Sequence, residues 1–98
     1  MIEFKIIASP DRTQQAAYTH AGREISFGRS DGDMFIDDPL IAPLQARLFY
    51  DGANFLVENL GDGEIKLNGK PVAKPTPIKE KDNLVLGRTT INITRLDT

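Results

Sequence analysis

The sequence predicts an all-β sandwich of about eleven short, mainly antiparallel strands. Three observations predict it. Glycine and proline punctuate the 98-residue chain roughly every 8 to 12 residues, the segments between them alternate apolar with polar, and no stretch carries a helical repeat.

Each element follows from its own residues. Ile2, Phe4 and Ile6 face one way and Glu3 and Lys5 the other, so residues 2–8 read as a half-buried strand closed by Ser9-Pro10-Asp11. A second strand is expected over Gln15–Thr19, and a third over Glu24–Phe27, with Ile25 and Phe27 inward and Gly28 as its stop. Met34–Ile36 reads as a short strand before the Asp37-Asp38-Pro39 turn; Pro43 then keeps Leu40–Leu44 irregular, because proline cannot donate to a ladder. Arg47–Tyr50 and Phe55–Glu58 flank Asp51-Gly52-Ala53-Asn54 as a hairpin. Beyond the Leu60–Gly63 loop, Ile65 and Leu67 alternate with Glu64 and Lys66 up to Asn68-Gly69, the strongest two-residue turn signal in the chain. Pro75 and Pro77 confine the next stretch to an edge. Asn83–Leu86 stops at Gly87, and Thr90–Leu96 closes the chain, with Ile91, Ile93 and Leu96 near a period of two.

The length admits one domain, residues 1–98, since a chain of this size buries roughly two thirds of its unfolded surface around a single core. The absence of cysteine removes disulfides, thiolate nucleophiles and thiolate metal sites, and fits a reducing, cytoplasmic setting. No apolar run reaches the length of a membrane span, so no membrane insertion is expected within this segment.

The formal net charge of −2 hides an uneven distribution. Residues 31–64 carry Asp31, Asp33, Asp37, Asp38, Asp51, Glu58, Asp62 and Glu64 against Arg47 alone, whereas residues 65–98 carry seven basic and three acidic groups. Nucleic-acid binding is not expected from that balance.

Four features fall in one order: Gly28-Arg29-Ser30 after an early strand; Ile41-Ala42-Pro43-Leu44-Gln45-Ala46-Arg47-Leu48; a glycine-containing loop leading to Leu67-Asn68-Gly69; and Pro77–Gly87, ending Asn83-Leu84-Val85-Leu86-Gly87. Together they resemble a forkhead-associated (FHA) domain over about residues 2–96. The resemblance implies an eleven-stranded sandwich that reads phosphothreonine in partner proteins through loops at one end. A doubly charged phosphate requires a guanidinium plus hydroxyl or amide donors on a rigid scaffold.

By that resemblance, Arg29 matches the arginine of the first reading loop, and Ser30 is a further candidate contact. The family serine that donates to the phosphate falls on Ala42, and the family histidine that braces the loop falls on Gln45. Asp62-Gly63-Glu64 stands where the family has Asn-Gly-Thr, and Asn68 belongs to the later hairpin. Losing one hydrogen bond to a charged group costs about 1.5 to 3 kcal/mol, one to two decades of affinity. The acidic residues beside these loops disfavour a dianion further.

Blander readings stand beside these. Arg29 is expected to pair locally with Asp31, Asp33 or Asp62, and Ser30 reads as an ordinary turn residue. Gly28, Gly69 and Gly87 read as strand ends and a turn needing positive φ. Asp31-Gly32-Asp33 fails the EF-hand spacing, because Phe35 and Ile36 occupy the ligand and glycine positions, so no metal site is assigned. His20, the only histidine, reads as an exposed loop residue, and the Asn92-Ile93-Thr94 sequon as coincidence. With no nucleophile elbow, Walker loop or dinucleotide fingerprint, no catalytic residue and no cofactor is expected. The basic 66–81 stretch reads as a solvated edge that discourages strand addition.

Two functions follow. One is a non-catalytic protein-interaction module with weakened or lost phosphothreonine recognition, similar to the FHA-like cytoplasmic assembly domains of type III secretion ring subunits; Ala42, Gln45 and the acidic loops favour it. The other is a signalling reader of phosphothreonine peptides that uses Arg29 and Ser30.

Overall fold

Alternation turns one face of every strand inward, and the computed structural model, which describes residues 1–98, packs those faces as two sheets. The strands are β1 (Ile2–Ala8), β2 (Ala17–His20), β3 (Glu24–Gly28), β4 (Met34–Phe35), β5 (Ala46–Tyr50), β6 (Phe55–Asn59), β7 (Ile65–Leu67), β8 (Lys70–Pro71), β9 (Thr76–Pro77), β10 (Asn83–Leu86) and β11 (Thr89–Leu96). One sheet runs β2-β1-β11-β10-β7-β8, the other β4-β3-β5-β6-β9. The expected class and strand count hold. Every pairing is antiparallel except β3 with β4, where Phe27 lies beside Met34 and Gly28 beside Phe35.

Two local expectations are corrected. Residues Arg12–Gln14 form a 3-10 turn, whose N-cap Asp11 accepts the Thr13 amide at 2.9 Å, so β2 begins at Ala17 instead of Gln15. His20 is the last residue of β2, opposite Ile2 and half-buried, not a loop residue. No helix is long and apolar enough to cross a membrane.

The core is one cluster of 19 buried apolar side chains drawn from both sheets. Phe4 joins the layers: its ring stacks on Tyr18 of the same sheet at 5.3 Å and meets the edge of Phe27 from the other at 5.4 Å. Each fully buried side chain of this kind contributes about 1.5 to 3 kcal/mol of transfer free energy. The β1–β11 ladder shifts register between Glu3 and Phe4, leaving Thr94 unpaired, and again between Ile6 and Ala8. That bulge explains the three-residue step from Ile93 to Leu96: the extra residue rotates Leu96, in place of Arg95, onto the core.

Turn chemistry sets the hairpins. Asn68 and Gly69 have φ of 52° and 85°, the two positive values a type I′ connection requires. In the β5–β6 loop the Asp51 carboxylate accepts the Ala53 and Asn54 amides, both at 2.8 Å. Those bonds, Asn54 first and Ala53 second, hold the Asp51 carboxyl below its ordinary value of 3.8.

One carboxylate is inside. Asp38 is fully buried; its Oδ1 accepts the Leu40 amide at 2.9 Å, and its Oδ2 accepts the Arg88 amide at 2.7 Å and the Thr89 hydroxyl at 2.8 Å. It ties the β4–β5 loop to the β10–β11 turn. This corrects its assignment to the solvent-facing acidic loops.

Asp38→Ala should lower the free energy of unfolding by about 3 kcal/mol or more, because three donors lose a charged acceptor; urea unfolding measures it, and near-parental stability would refute the joint. Asp51 acts through pH. Its lowered value in the fold makes its contribution fully present above 3.8 and lost as pH falls through the folded value. Thermal melts should show Asp51→Asn less stable than the parent at neutral pH, with the gap closing below pH 3.8; a gap unchanged by acid would contradict this.

Candidate functional site

Five connections meet at one end of the sandwich: β3–β4, β4–β5, β6–β7 and β10–β11, and with them β1–β2, whose Gln14 donates to the Phe35 carbonyl at 2.8 Å and accepts the Asp37 amide at 2.9 Å. Their joining begins at Gly28, where a Cβ would stand 2.0 Å from the Pro43 carbonyl oxygen and 2.2 Å from that of Asp31. Close approach, not positive φ, is therefore the reason for this glycine. It lets the Arg29 amide donate to Ala42 at 3.0 Å and the Asp31 amide to Pro43 at 2.8 Å, so the first two loops lie side by side.

Arg29 and Ser30 are both exposed at this junction. The Arg29 Nε donates to the Ile41 carbonyl at 3.1 Å, which anchors the guanidinium by one edge. The expected pairing with Asp31, Asp33 or Asp62 does not form: the four ion pairs are Arg47 with Glu24 and with Glu58, Lys66 with Glu64, and Arg95 with Asp97. The Arg29 Nη groups and the Ser30 hydroxyl remain open to a ligand.

Ala42 and Gln45 lie in the second loop. Gln45 is buried; its Oε1 accepts the Ala42 amide at 2.9 Å, and its Nε2 donates to Asn59 Oδ1 at 2.8 Å. Its own carbonyl accepts the Leu60 amide at 2.8 Å. Asn59, the last residue of β6, continues the chain of bonds, since its Oδ1 also takes the Gly61 amide at 3.2 Å and its Nδ2 donates to the Gly63 carbonyl at 2.8 Å. Gly61 is pressed against this hub: a Cβ there would meet the Ala42 Cβ at 2.6 Å. Gln45 thus braces the second loop against the third. Position 42 itself offers no side-chain donor, and its amide is committed to Gln45.

Asp62 and Gly63 sit exposed at the tip of the third loop, and Glu64 pairs with Lys66 at 3.6 Å. Asp33 is turned back on β3, accepting the Ser26 amide at 2.9 Å and the Ser26 hydroxyl at 3.1 Å. Asp31, Asp37 and Asp62 are the exposed carboxylates of the loop end whose oxygens make no hydrogen bond, and Asp33 adds its charge from beside β3. Gly87 carries φ of +57° and packs against the Asp38 carboxylate, so it belongs to this end. Asn68 and Gly69 do not: β7 and β10 pair Ile65 with Leu86 toward the loops and Leu67 with Leu84 away from them. Asn68 binds Asp82 and Asn83 at the far end.

Sequence reasoning missed three contributors. Asn59 was legible as an asparagine between a strand and a glycine-rich loop, a place where its side chain bonds nearby backbone. Asp38 showed half of its role in Asp-Pro-Leu, whereas its partners at 88 and 89 had no local signal. Leu40, Leu44 and Leu60 stand 58%, 37% and 42% exposed in these loops and give the acidic end an apolar component.

Among known proteins, a family model described as the FHA domain matches residues 22–87. The chain is similar to the FHA domain of the CT664 protein from Chlamydia trachomatis, with a TM-score of 0.80 and 20% identity over 98% of each chain. It is also similar to the cytoplasmic domain of the T3SS sorting platform protein PscD from P. aeruginosa, with a TM-score of 0.78 and 13% identity over 99% of this chain and 82% of that one. The FHA domain of FhaA, solved in complex with the intracellular domain of Rv3910, gives 0.77 and 18% over 95% of this chain and 99% of that one. No curated protein matches. At these identities the structures establish the fold alone. The family match runs from the approach to β3 through the end of β10 and takes in the β3–β4, β4–β5 and β6–β7 connections, and by it the chain belongs to the FHA domain family of protein-interaction modules.

Proposed function

We propose that residues 1–98 act as one non-catalytic, cytoplasmic interaction domain of FHA type in which phosphothreonine recognition is weakened or lost and the loop end serves assembly with protein partners. Position 42 carries this reading. The family serine is an alanine, and the amide that would substitute for its hydroxyl is held by Gln45 at 2.9 Å. A phosphate at this end keeps one guanidinium and Ser30, with Asp31, Asp37 and Asp62 nearby. The missing charged hydrogen bond removes about 1.5 to 3 kcal/mol.

A second reading has its own observation. Arg29 is exposed, held by one edge and free of any carboxylate, which is the state a phosphate-binding arginine requires. In that reading the domain is a signalling reader of phosphothreonine peptides through Arg29 and Ser30.

Titration of the ¹⁵N-labelled chain with matched phosphothreonine and unphosphorylated peptides separates the two. Weakened recognition predicts submillimolar or poorer binding, and a micromolar, phosphate-dependent shift centred on Arg29 and Ser30 would overturn it. Because the scaffold is intact, Ala42→Ser should strengthen phosphopeptide binding by about tenfold or more. The gain should vanish when Arg29 is also replaced by Ala.

A further inference from the structure

The two sheets end on the same side in β8 and β9, and a cavity of about 310 Å³ opens between these edges. Leu67 and Val72, both buried, form its floor, and Lys70 and Lys79 stand at its rim with Pro71 and Pro77. Lys74 and Lys81 extend the positive surface along the same segment, and none of these four lysines is in an ion pair. Asp82 is the one carboxylate at the cavity, and its oxygens are taken by the Asn68 side chain at 2.9 Å and the Lys79 amide at 2.8 Å. Each edge strand has two residues and ends in proline, so a partner cannot dock here by extending a sheet. Recognition must run through side chains: an apolar group for the floor and carboxylates for the rim.

The loop end of the same molecule presents that chemistry. Asp31, Asp37 and Asp62 project there with Leu40, Leu44 and Leu60, against Arg12, Arg29 and Arg88 as the cations of that end. We propose that the lysine-rimmed seam between β8 and β9 docks the acidic, leucine-bearing loop end of a second copy of this chain. The two surfaces differ and lie on different parts of one molecule, so the contact is head-to-tail and propagates. It requires no phosphate and stands whether or not the loop end reads phosphothreonine.

Sedimentation velocity across a concentration series tests it. At low ionic strength the average mass should rise with concentration, and at high salt it should fall back to the monomer, because the contact is largely between exposed charges. Two variants separate the halves. Lys70→Ser with Lys79→Ser removes the seam, and Asp31→Asn with Asp62→Asn removes the loop end, neutral changes that leave the two altered halves without attraction for each other; all four residues are exposed and their side chains make no hydrogen bond, so thermal melts should match the parent. Each variant alone should be monomeric, yet their equimolar mixture should form a 1:1 dimer and nothing larger, since each retains the half the other lacks. A parent that stays monomeric at low salt overturns the proposal. So does association that survives in the lysine variant, or a mixture that stays monomeric. Binding of an unrelated acidic protein at the seam without self-association would replace the second copy as occupant and overturn it equally.

Discussion

The loop end of this sandwich depends on one buried amide. Loops have no ladder of their own, and every buried backbone donor or acceptor must still find a partner. Gln45 supplies both kinds from one side chain, accepting from Ala42 and donating to Asn59, which in turn fixes Gly61 and Gly63. Two connections, β4–β5 and β6–β7, therefore share one short network. Gln45, at its centre, is buried, where a satisfied polar group specifies geometry and an unsatisfied one destabilises.

Bracing and reading are separable tasks here. Gln45 braces the β4–β5 loop against the β6–β7 loop without itself facing a ligand. Ala42 beside it carries no side-chain donor, and its amide is already bonded to Gln45. Asp38 shows the same separation for charge: in sequence it joins the acidic block, whereas in the fold its three donors enclose it and it holds two loops together. An acidic residue whose oxygens are already bonded inside the fold can accept no hydrogen bond from a ligand, whatever its charge contributes at a distance.

The architecture was legible because strand faces and turns are local. Ile2, Phe4 and Ile6 show their face by spacing alone, and Asn68-Gly69 specifies its turn through two residues that tolerate positive φ. The order of the strands within the sheets is set by pairings between distant segments and had no local signal. What stayed hidden was non-local or against type. The 3-10 turn at Arg12–Gln14 is too short for periodicity to show. Lys81 adopts φ of 77° with no glycine to announce it. The local pairing expected of Arg29 failed because the Ile41 carbonyl and the packing of Gly28 turn the chain away from the nearby carboxylates, and close approach across the fold is invisible to residue spacing.

The β1–β11 ladder carries a feature with a longer reach. Its two register shifts lie on opposite strands: Thr94 is extra on β11, Ile7 is extra on β1, and the second restores the alignment lost at the first. Between them Phe4, Lys5 and Ile6 are offset by one residue from the pairing at both ends. The lengths of these two strands are therefore coupled. Losing either extra residue alone would carry the offset to the end of the ladder, whereas losing both would leave it regular throughout. A one-residue change in the length of β1 is therefore offset by a matching change in β11, although the two strands are the first and the last in the sequence.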